Sequence, residues 1–471
     1  MTPTKYKTMS TLKVYAPYDR SLIKEIPQKS AAEMQAVIDR AHSLFLDRSK
    51  WLAKYKRVEI LEKIAKLMEE RSEEIIRTSA QEGGKPWMDT KVEMARAING
   101  VKLAIENMGH MGGEEVPMGH TASSVNRMAF TFREPIGVVA SVSAFNHPIN
   151  LIIHQTIPAI AVGSPVIVKP APTTPLTCLL LNEIYHEAGL PEGWCTTMVC
   201  DNDVAELLVT SPKVNFFSFI GSAKVGWYLR SKLAPGTRCA LEHGGAAPVI
   251  VEPDADIDNM IAPLTKGGFY HAGQVCVSVQ RVFVHESIIK EVTEKMKAAA
   301  LQIKTGDPLD PATEAGPLIL PREVDRVEEW VNEAKSMGGE IICGGKRISE
   351  TCYEPTLILN PSEKTKVSQM EIFGPVVCLY SYTDMHEAIE RANALPFHFQ
   401  AAVFTKHIDK ALDAVQRLNA SAVMVNDHTA FRVDWMPFAG RDSSGLNIGS
   451  IPHTMHDMSR EKMMVIKSGV I

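Results

Sequence analysis

Apolar residues recur at three- and four-residue spacing through the opening segments of the chain, and that rhythm predicts helices first. SAAEMQAVIDRAHSLF begins with Ser30 three residues ahead of Glu33, a capping box. RVEILEKIAKLMEERSEEIIRTSA continues the pattern to about Ala80, and KVEMARAINGVKLAIENMGHM adds a third helical stretch ending at Gly112-Gly113. The texture then changes. SVNRMAFTFREPIGVVASVSAF alternates and is rich in β-branched residues, which predicts a hairpin near 120–133 and a buried strand near 137–142. Short apolar runs follow, SPVIVKPA, FFSFIGS and APVIVE, separated by the helical TPLTCLLLNEIYHEAGL and DVAELLVTS. Strands alternating with helices imply βαβ units and a mostly parallel sheet. A second such series runs from RVFVHESIIKEVTEKMKAAALQI through GGEIICGG, VVCLYSY, MHEAIERANAL and AAVFT to HIDKALDAVQRL, and EKMMVIKSGVI reads as a terminal strand. The pattern therefore predicts two α/β domains with a small β-extension.

Length and composition narrow this. A chain of 471 residues is long enough for two or three domains with a cleft between them. With 45% hydrophobic residues, 22% charged residues and a net charge of −5, the composition is that of an ordinary soluble globular protein and holds no basic block to suggest nucleic acid. The N-terminal segment lacks the apolar core of a signal peptide, and no run approaches the ~18 apolar residues of a spanning helix, so a cytoplasmic location is expected. The eight cysteines include no CxxC pair and no Cys/His cluster, which predicts reduced thiols, no disulfide framework and no metal.

Five residues carry candidate chemistry. Cys276, in GGFYHAGQVCVSVQRV, sits between a glycine-rich turn and a β-branched run and reads either as a buried filler or as a nucleophile. Glu242 precedes Gly244-Gly245 and a buried strand, where a carboxylate is costly unless paired or used. Asn146 follows a buried strand in SAFNHPIN; it reads as a turn residue or as an amide aimed at a developing oxyanion. Lys169 ends the strand of PVIVKPAP, and Glu371 precedes Phe373-Gly374-Pro375.

Taken together and in order, FNHP (145–148), VIVKPA (166–171), FIGSAKVG (219–226), LEHGG (241–245), GQVC (273–276), EIFGPVV (371–377) and PFAGRDSSG (437–445) resemble the aldehyde dehydrogenase superfamily over nearly the whole chain. The resemblance implies a doubly wound parallel-sheet NAD(P)-binding domain (1–117 and 135–243), a second α/β catalytic domain (244–452) and a β oligomerisation extension (118–134 and 453–471) giving a homodimer or homotetramer. It further implies that Cys276 is the nucleophile toward an aldehyde, that Asn146 and the Cys276 backbone N–H hold the oxyanion, and that Glu242 activates water to release an acid. Lys169 resembles the residue bonding the adenosine ribose and Glu371 the one holding the nicotinamide ribose, with Phe373 near the nicotinamide. Gly221 and Ser222 precede a helix whose N-terminus can meet the pyrophosphate, although this stretch alone is a poor match to GxGxxG.

Departures from the family pattern matter. Pro172 stands where many NAD-preferring relatives have a glutamate, so NADP is expected to be tolerated or preferred, whereas Asp201, if close to the adenosine, would favour NAD. Asp201 and Asp203 also read as caps of the next helix. His243 replaces the usual leucine beside Glu242, and Asp442 the usual lysine; neither role is set by sequence. His147 follows the oxyanion asparagine, and Phe431 and Arg432 precede PFAG, where relatives place pocket residues. Arg432 reads either as a partner for an anionic substrate group or as a salt-bridge partner of Asp434 or another subunit. The expected substrate is a short aliphatic aldehyde with a polar or anionic group; a cysteine-dependent esterase or a silent structural protein are the competing classes.

Overall fold

The computed structural model describes residues 10–470. An antiparallel pair, Thr11–Tyr15 with Leu22–Pro27, comes first; its Lys- and Glu-bearing strands lack the apolar alternation that betrays a strand. Helix Ala31–Leu46 follows with the expected capping box: the Glu33 N–H donates to the Ser30 hydroxyl, and the Ser30 N–H to the Glu33 carboxylate at 2.8 Å. Met34, Ile38, Ala41 and Phe45 form its buried stripe. The long periodic stretch beyond it divides at Arg71 into Lys54–Glu70 and Ser72–Gly83, and the Arg71 guanidinium binds Glu74, Glu183 and Glu187 around the break. Helix Trp87–Met108 completes the group.

Two sheets carry the chemistry. In the first, Cys195–Thr197, Val166–Lys169, Val138–Val142, Val214–Ile220 and Arg238–Glu242 lie side by side in that order and all parallel. Chain order reverses between Val138–Val142 and Val214–Ile220, which makes this a doubly wound sheet with its crevice beyond the carboxyl ends of those two strands. A two-residue strand, Gly445–Leu446, adds antiparallel to Arg238–Glu242. The second sheet has seven strands, Glu340–Cys343, Thr356–Leu359, Val376–Tyr382, Arg281–His285, Pro248–Val251, Gln400–Phe404 and Ala422–Val425 in spatial order, parallel except for the first. Phe216, Phe217, Val139 and Ile167 in one sheet and Val249, Ile250, Val282 and Phe283 in the other are fully buried, as expected of parallel strands covered on both faces.

The hairpin expected near 120–133 is replaced by a different pairing. Strand Arg127–Pro135 runs antiparallel to the carboxyl-terminal strand Ser459–Lys467 along its whole length, and only Glu115–Val116 joins on the other side. Asn126 turns with φ +59° and Ala122–Ser124 forms a helical turn, so residues 120–133 hold only one strand and both of its partners come from outside that stretch. Met463, Met464, Val465 and Ile466 of the terminal strand are exposed. Among the described residues no helix is long and apolar enough to cross a membrane, and no group of His, Cys, Asp and Glu is disposed to hold a metal.

Candidate active site

A cavity of about 730 Å³ runs from the switch-point crevice of the first sheet to the Cys276 loop. Cys276, Asn146, Glu242, Lys169, Glu371 and Arg432 all line it.

The loop bearing Cys276 is held in an unusual conformation. His271, Ala272 and Gly273 follow one another at φ +51°, +52° and +69°, a left-handed stretch that costs about 1–3 kcal/mol at each non-glycine residue. Surrounding bonds enforce it. Gln274 is fully buried; its amide donates to the carbonyls of His271 and Pro317, and its Oε1 accepts from the Ile319 N–H at 2.9 Å. Gly273 packs against Gly374, where a Cβ would lie 2.1 Å from the carbonyl oxygen, so the cysteine loop and the Glu371 loop touch through bare backbone. Burial pushes the Cys276 thiol up to about 12; nearby Glu371 and Glu242 add to this, while Arg432 and the cysteine's own backbone N–H oppose it.

Asn146 sits in the loop after Val138–Val142. Its amide donates one hydrogen to the Gln274 carbonyl at 3.0 Å, which fixes the side chain and leaves the second hydrogen for the cavity. The helix behind it, Asn150–Val162, is anchored by Glu93, whose carboxylate accepts from the Ile149 and Asn150 N–H groups and pairs with buried Lys85. His147 lies edge-on to His271, ring centroids 6.2 Å apart, and burial lowers the pKa of both imidazoles well below the usual value.

Glu242 ends its strand where Gly449 leaves room, since a Cβ on Gly449 would fall 2.3 Å from the Glu242 carboxylate. Burial raises the Glu242 pKa and the Arg432 charge lowers it. Arg432 stacks over the Phe438 ring at 3.4 Å, and its Nε has no partner. The Asp434 carboxylate is taken instead by Arg96, His154 and Asn150, which removes the expected Arg432–Asp434 bridge. Phe431 is 44% exposed and stands outside the cavity wall.

Glu371 presents a buried carboxylate oxygen without a partner, and burial pushes its pKa up to about 8 against the opposing charge of Arg326. Gly244 makes its place, because a Cβ there would fall 1.7 Å from the carboxylate. Phe373, at φ +47°, meets Phe145 edge-on. Lys169 is 6% exposed and burial lowers its pKa, with Cys200 and Asp201 opposing. Asp201 caps helix Asn202–Thr210 by accepting from the Val204 N–H, and Pro172 is exposed beside the cavity rather than in its wall. Gly221 and Ser222 precede helix Ala223–Arg230. An unpaired buried acceptor, a buried cation and a glycine-serine turn at a helix N-terminus fit a dinucleotide: hydroxyls for Glu371, ribose or phosphate for Lys169, pyrophosphate for the turn.

Sequence reasoning missed the residues that hold these groups. Gln280 donates to the Val367 and Met370 carbonyls and accepts from the Ile372 N–H, while Arg326 donates to the Ile372 carbonyl at 2.7 Å, so both fix the Glu371 loop. Ser444 donates to the Gly244 carbonyl at 2.7 Å and accepts the His243 N–H. Asp442, the residue replacing lysine, bonds His398 and Asn419.

The sequence profile of the aldehyde dehydrogenase family matches residues 4–464. A 3-sulfolactaldehyde dehydrogenase of Priestia aryabhattai is 38% identical over 413 residues, covering 88% of this chain and 86% of the relative. Aldehyde dehydrogenase 21 from Physcomitrella patens, solved with the reaction product succinate, superposes with a TM-score of 0.95 at 34% identity over 99% of this chain and 97% of the other. Glyceraldehyde-3-phosphate dehydrogenase of Methanocaldococcus jannaschii, complexed with NADP, gives a TM-score of 0.93 at 35% identity over 97% and 99%.

Proposed function

Given that the chain belongs to the aldehyde dehydrogenase family and is an NAD(P)-dependent enzyme of small aldehydes, we propose that it oxidises a short aliphatic aldehyde bearing an anionic group to the free acid through a thioester on Cys276. The observation that carries this reading is one cavity wall holding a nucleophile, a base and an amide donor, Cys276, Glu242 and Asn146, beside the unpaired Arg432. The Cys276 sulfur, deprotonated with Glu242 as acceptor, adds to the aldehyde carbon. The Asn146 amide and the Cys276 N–H stabilise the resulting oxyanion. NAD(P), when bound, supplies the hydride acceptor. Loss of hydride from the adduct leaves the acyl group on Cys276, and Glu242 then takes a proton from the water that cleaves the thioester. Lys169, Glu371 and the Gly221–Ser222 turn hold the cofactor, and Phe373 packs at its nicotinamide end. The test is reduced-cofactor formation with 3-sulfolactaldehyde, succinate semialdehyde, lactaldehyde and propanal; turnover of the anionic aldehydes supports the reading, and turnover of propanal alone opposes the anionic substrate.

Arg432 is the proposed partner of the substrate's anion, because its guanidinium is desolvated and its Nε unpaired. Arg432→Met is expected to raise KM for an anionic aldehyde by about 10–100-fold, the effect of losing one or two charge-assisted hydrogen bonds, and to change KM for propanal less than about twofold. Equal losses for both would remove the charge recognition. The related molecules above act on or were solved with compounds that carry a sulfonate, carboxylate or phosphate, which supports a shared anion-binding end.

NADP is proposed to be tolerated or preferred alongside NAD. Pro172 brings no carboxylate against a 2′-phosphate, and Lys169 brings a cation. Pro172→Glu is expected to weaken NADP by about two- to fivefold, the effect of one like charge at an exposed position beside the cavity, and to leave NAD binding near its parent value. Unchanged NADP affinity would place the 2′-phosphate elsewhere.

Residues 1–117 with 135–243, and 244–452, are the proposed cofactor and catalytic domains; 118–134 with 453–471 form the oligomerisation extension. The exposed apolar residues of strand Ser459–Lys467 support a homodimer or homotetramer, since long exposed strands invite pairing.

A further inference from the structure

His243 occupies a place where the resemblance leads to leucine, and its surroundings are not those of a packing residue. Its Nδ1 lies 2.8 Å from the Gly221 carbonyl oxygen. A carbonyl only accepts, so the proton is on Nδ1. The Gly221 N–H donates to the Glu242 carbonyl at 3.1 Å, so two consecutive residues grip Gly221 from both sides. The ring meets Phe219 and Trp227 edge-on and rests over Gly226, where a Cβ would fall 2.0 Å from it. Its Nε2 is buried without a partner, and burial lowers the imidazole's pKa. The bond to Gly221 is thus the ring's only side-chain hydrogen bond among the described residues.

A trans peptide is planar, with its C=O and N–H directed oppositely. A carbonyl of Gly221 held toward His243 therefore turns the Ser222 N–H the other way. Ser222 and Gly221 both form cavity wall, and Ser222 begins a helix whose first N–H groups have no intrahelical acceptor. We propose that His243 is a positioning residue for the phosphate-binding turn: by holding the Gly221 carbonyl it aims the Ser222 N–H at a phosphate of the cofactor. This rests on the reading of Gly221–Ser222 as the pyrophosphate turn given above. Leucine cannot make the bond, and in this chain Gly226 supplies the space the ring needs.

The test is equilibrium binding of ADP and of adenosine, which lacks the phosphates, by titration calorimetry. His243→Leu and His243→Ala are expected to weaken ADP about tenfold and adenosine less than twofold. His243→Asn, whose amide N–H reaches the place of Nδ1, is expected to restore ADP binding. Parent-like ADP affinity in the leucine and alanine variants, equal loss of adenosine, or no rescue by asparagine would overturn the role. Ser222→Pro separates this from the underlying reading: Ser222 already has φ −64°, which proline adopts, so the substitution removes the N–H at little backbone cost. Weak ADP binding in that variant with none in the His243 variants defeats the positioning role alone, whereas normal ADP binding in Ser222→Pro defeats the phosphate turn itself.

Discussion

Cys276→Ala is expected to abolish aldehyde oxidation, lowering kcat/KM by about 10⁴-fold or more, the usual cost of deleting a covalent nucleophile. The variant should still bind NAD(P), because the proposed cofactor-holding residues Lys169, Glu371, Gly221 and Ser222 are unchanged in it. Stopped-flow absorbance of the reduced cofactor checks the first point and cofactor titration the second. Oxidation at more than about 1% of the parent rate would move the nucleophile to another residue.

Glu242→Gln should separate the two halves of the reaction. Its carboxylate acts on Cys276 from the same cavity wall; burial raises its pKa and the Arg432 charge lowers it, and in its ionised form it can take a proton from water. The glutamine keeps the shape in the gap left by Gly449 but takes no proton. Steady-state turnover is expected to fall by about 10²–10⁴-fold, with reduced cofactor still appearing as a burst of up to one equivalent per active site, slower than in the parent because water must take the Cys276 proton in place of Glu242. Because the parent base must be ionised, parent activity should rise with pH through the raised Glu242 pKa, and the rise should be absent from the burst-limited variant. Turnover near the parent rate would remove Glu242 from the hydrolytic step.

Much of this was legible because the informative signals are local. Ser30 and Glu33 cap the first helix in a three-residue motif, and Cys276, Glu242 and Asn146 sit in short stretches whose order resembles one family. What the sequence hid depends on contacts between distant segments. Gln274 and Gln280 read as ordinary polar residues, and only folding brings the carbonyls of Pro317 and Met370 to their amides. Arg326 reads as the polar face of helix Pro321–Ser336 until the Ile372 carbonyl is placed against it. Asp434, two residues from Arg432, invites a local pair, yet the fold gives its carboxylate to Arg96 and His154. The strand Arg127–Pro135 looked like half of a local hairpin because its partner lies at the far end of the chain.

The central claim is a covalent acyl intermediate on Cys276, and the most direct measurement is intact-protein and peptide mass spectrometry of Glu242→Gln mixed with aldehyde and NAD(P) and quenched in acid. Addition of the thiol and loss of hydride and a proton increase the mass by that of the aldehyde less two hydrogens. The account predicts that increment on the Cys276 peptide, in step with the burst of reduced cofactor. A burst without the adduct, or an adduct on another residue, would contradict it.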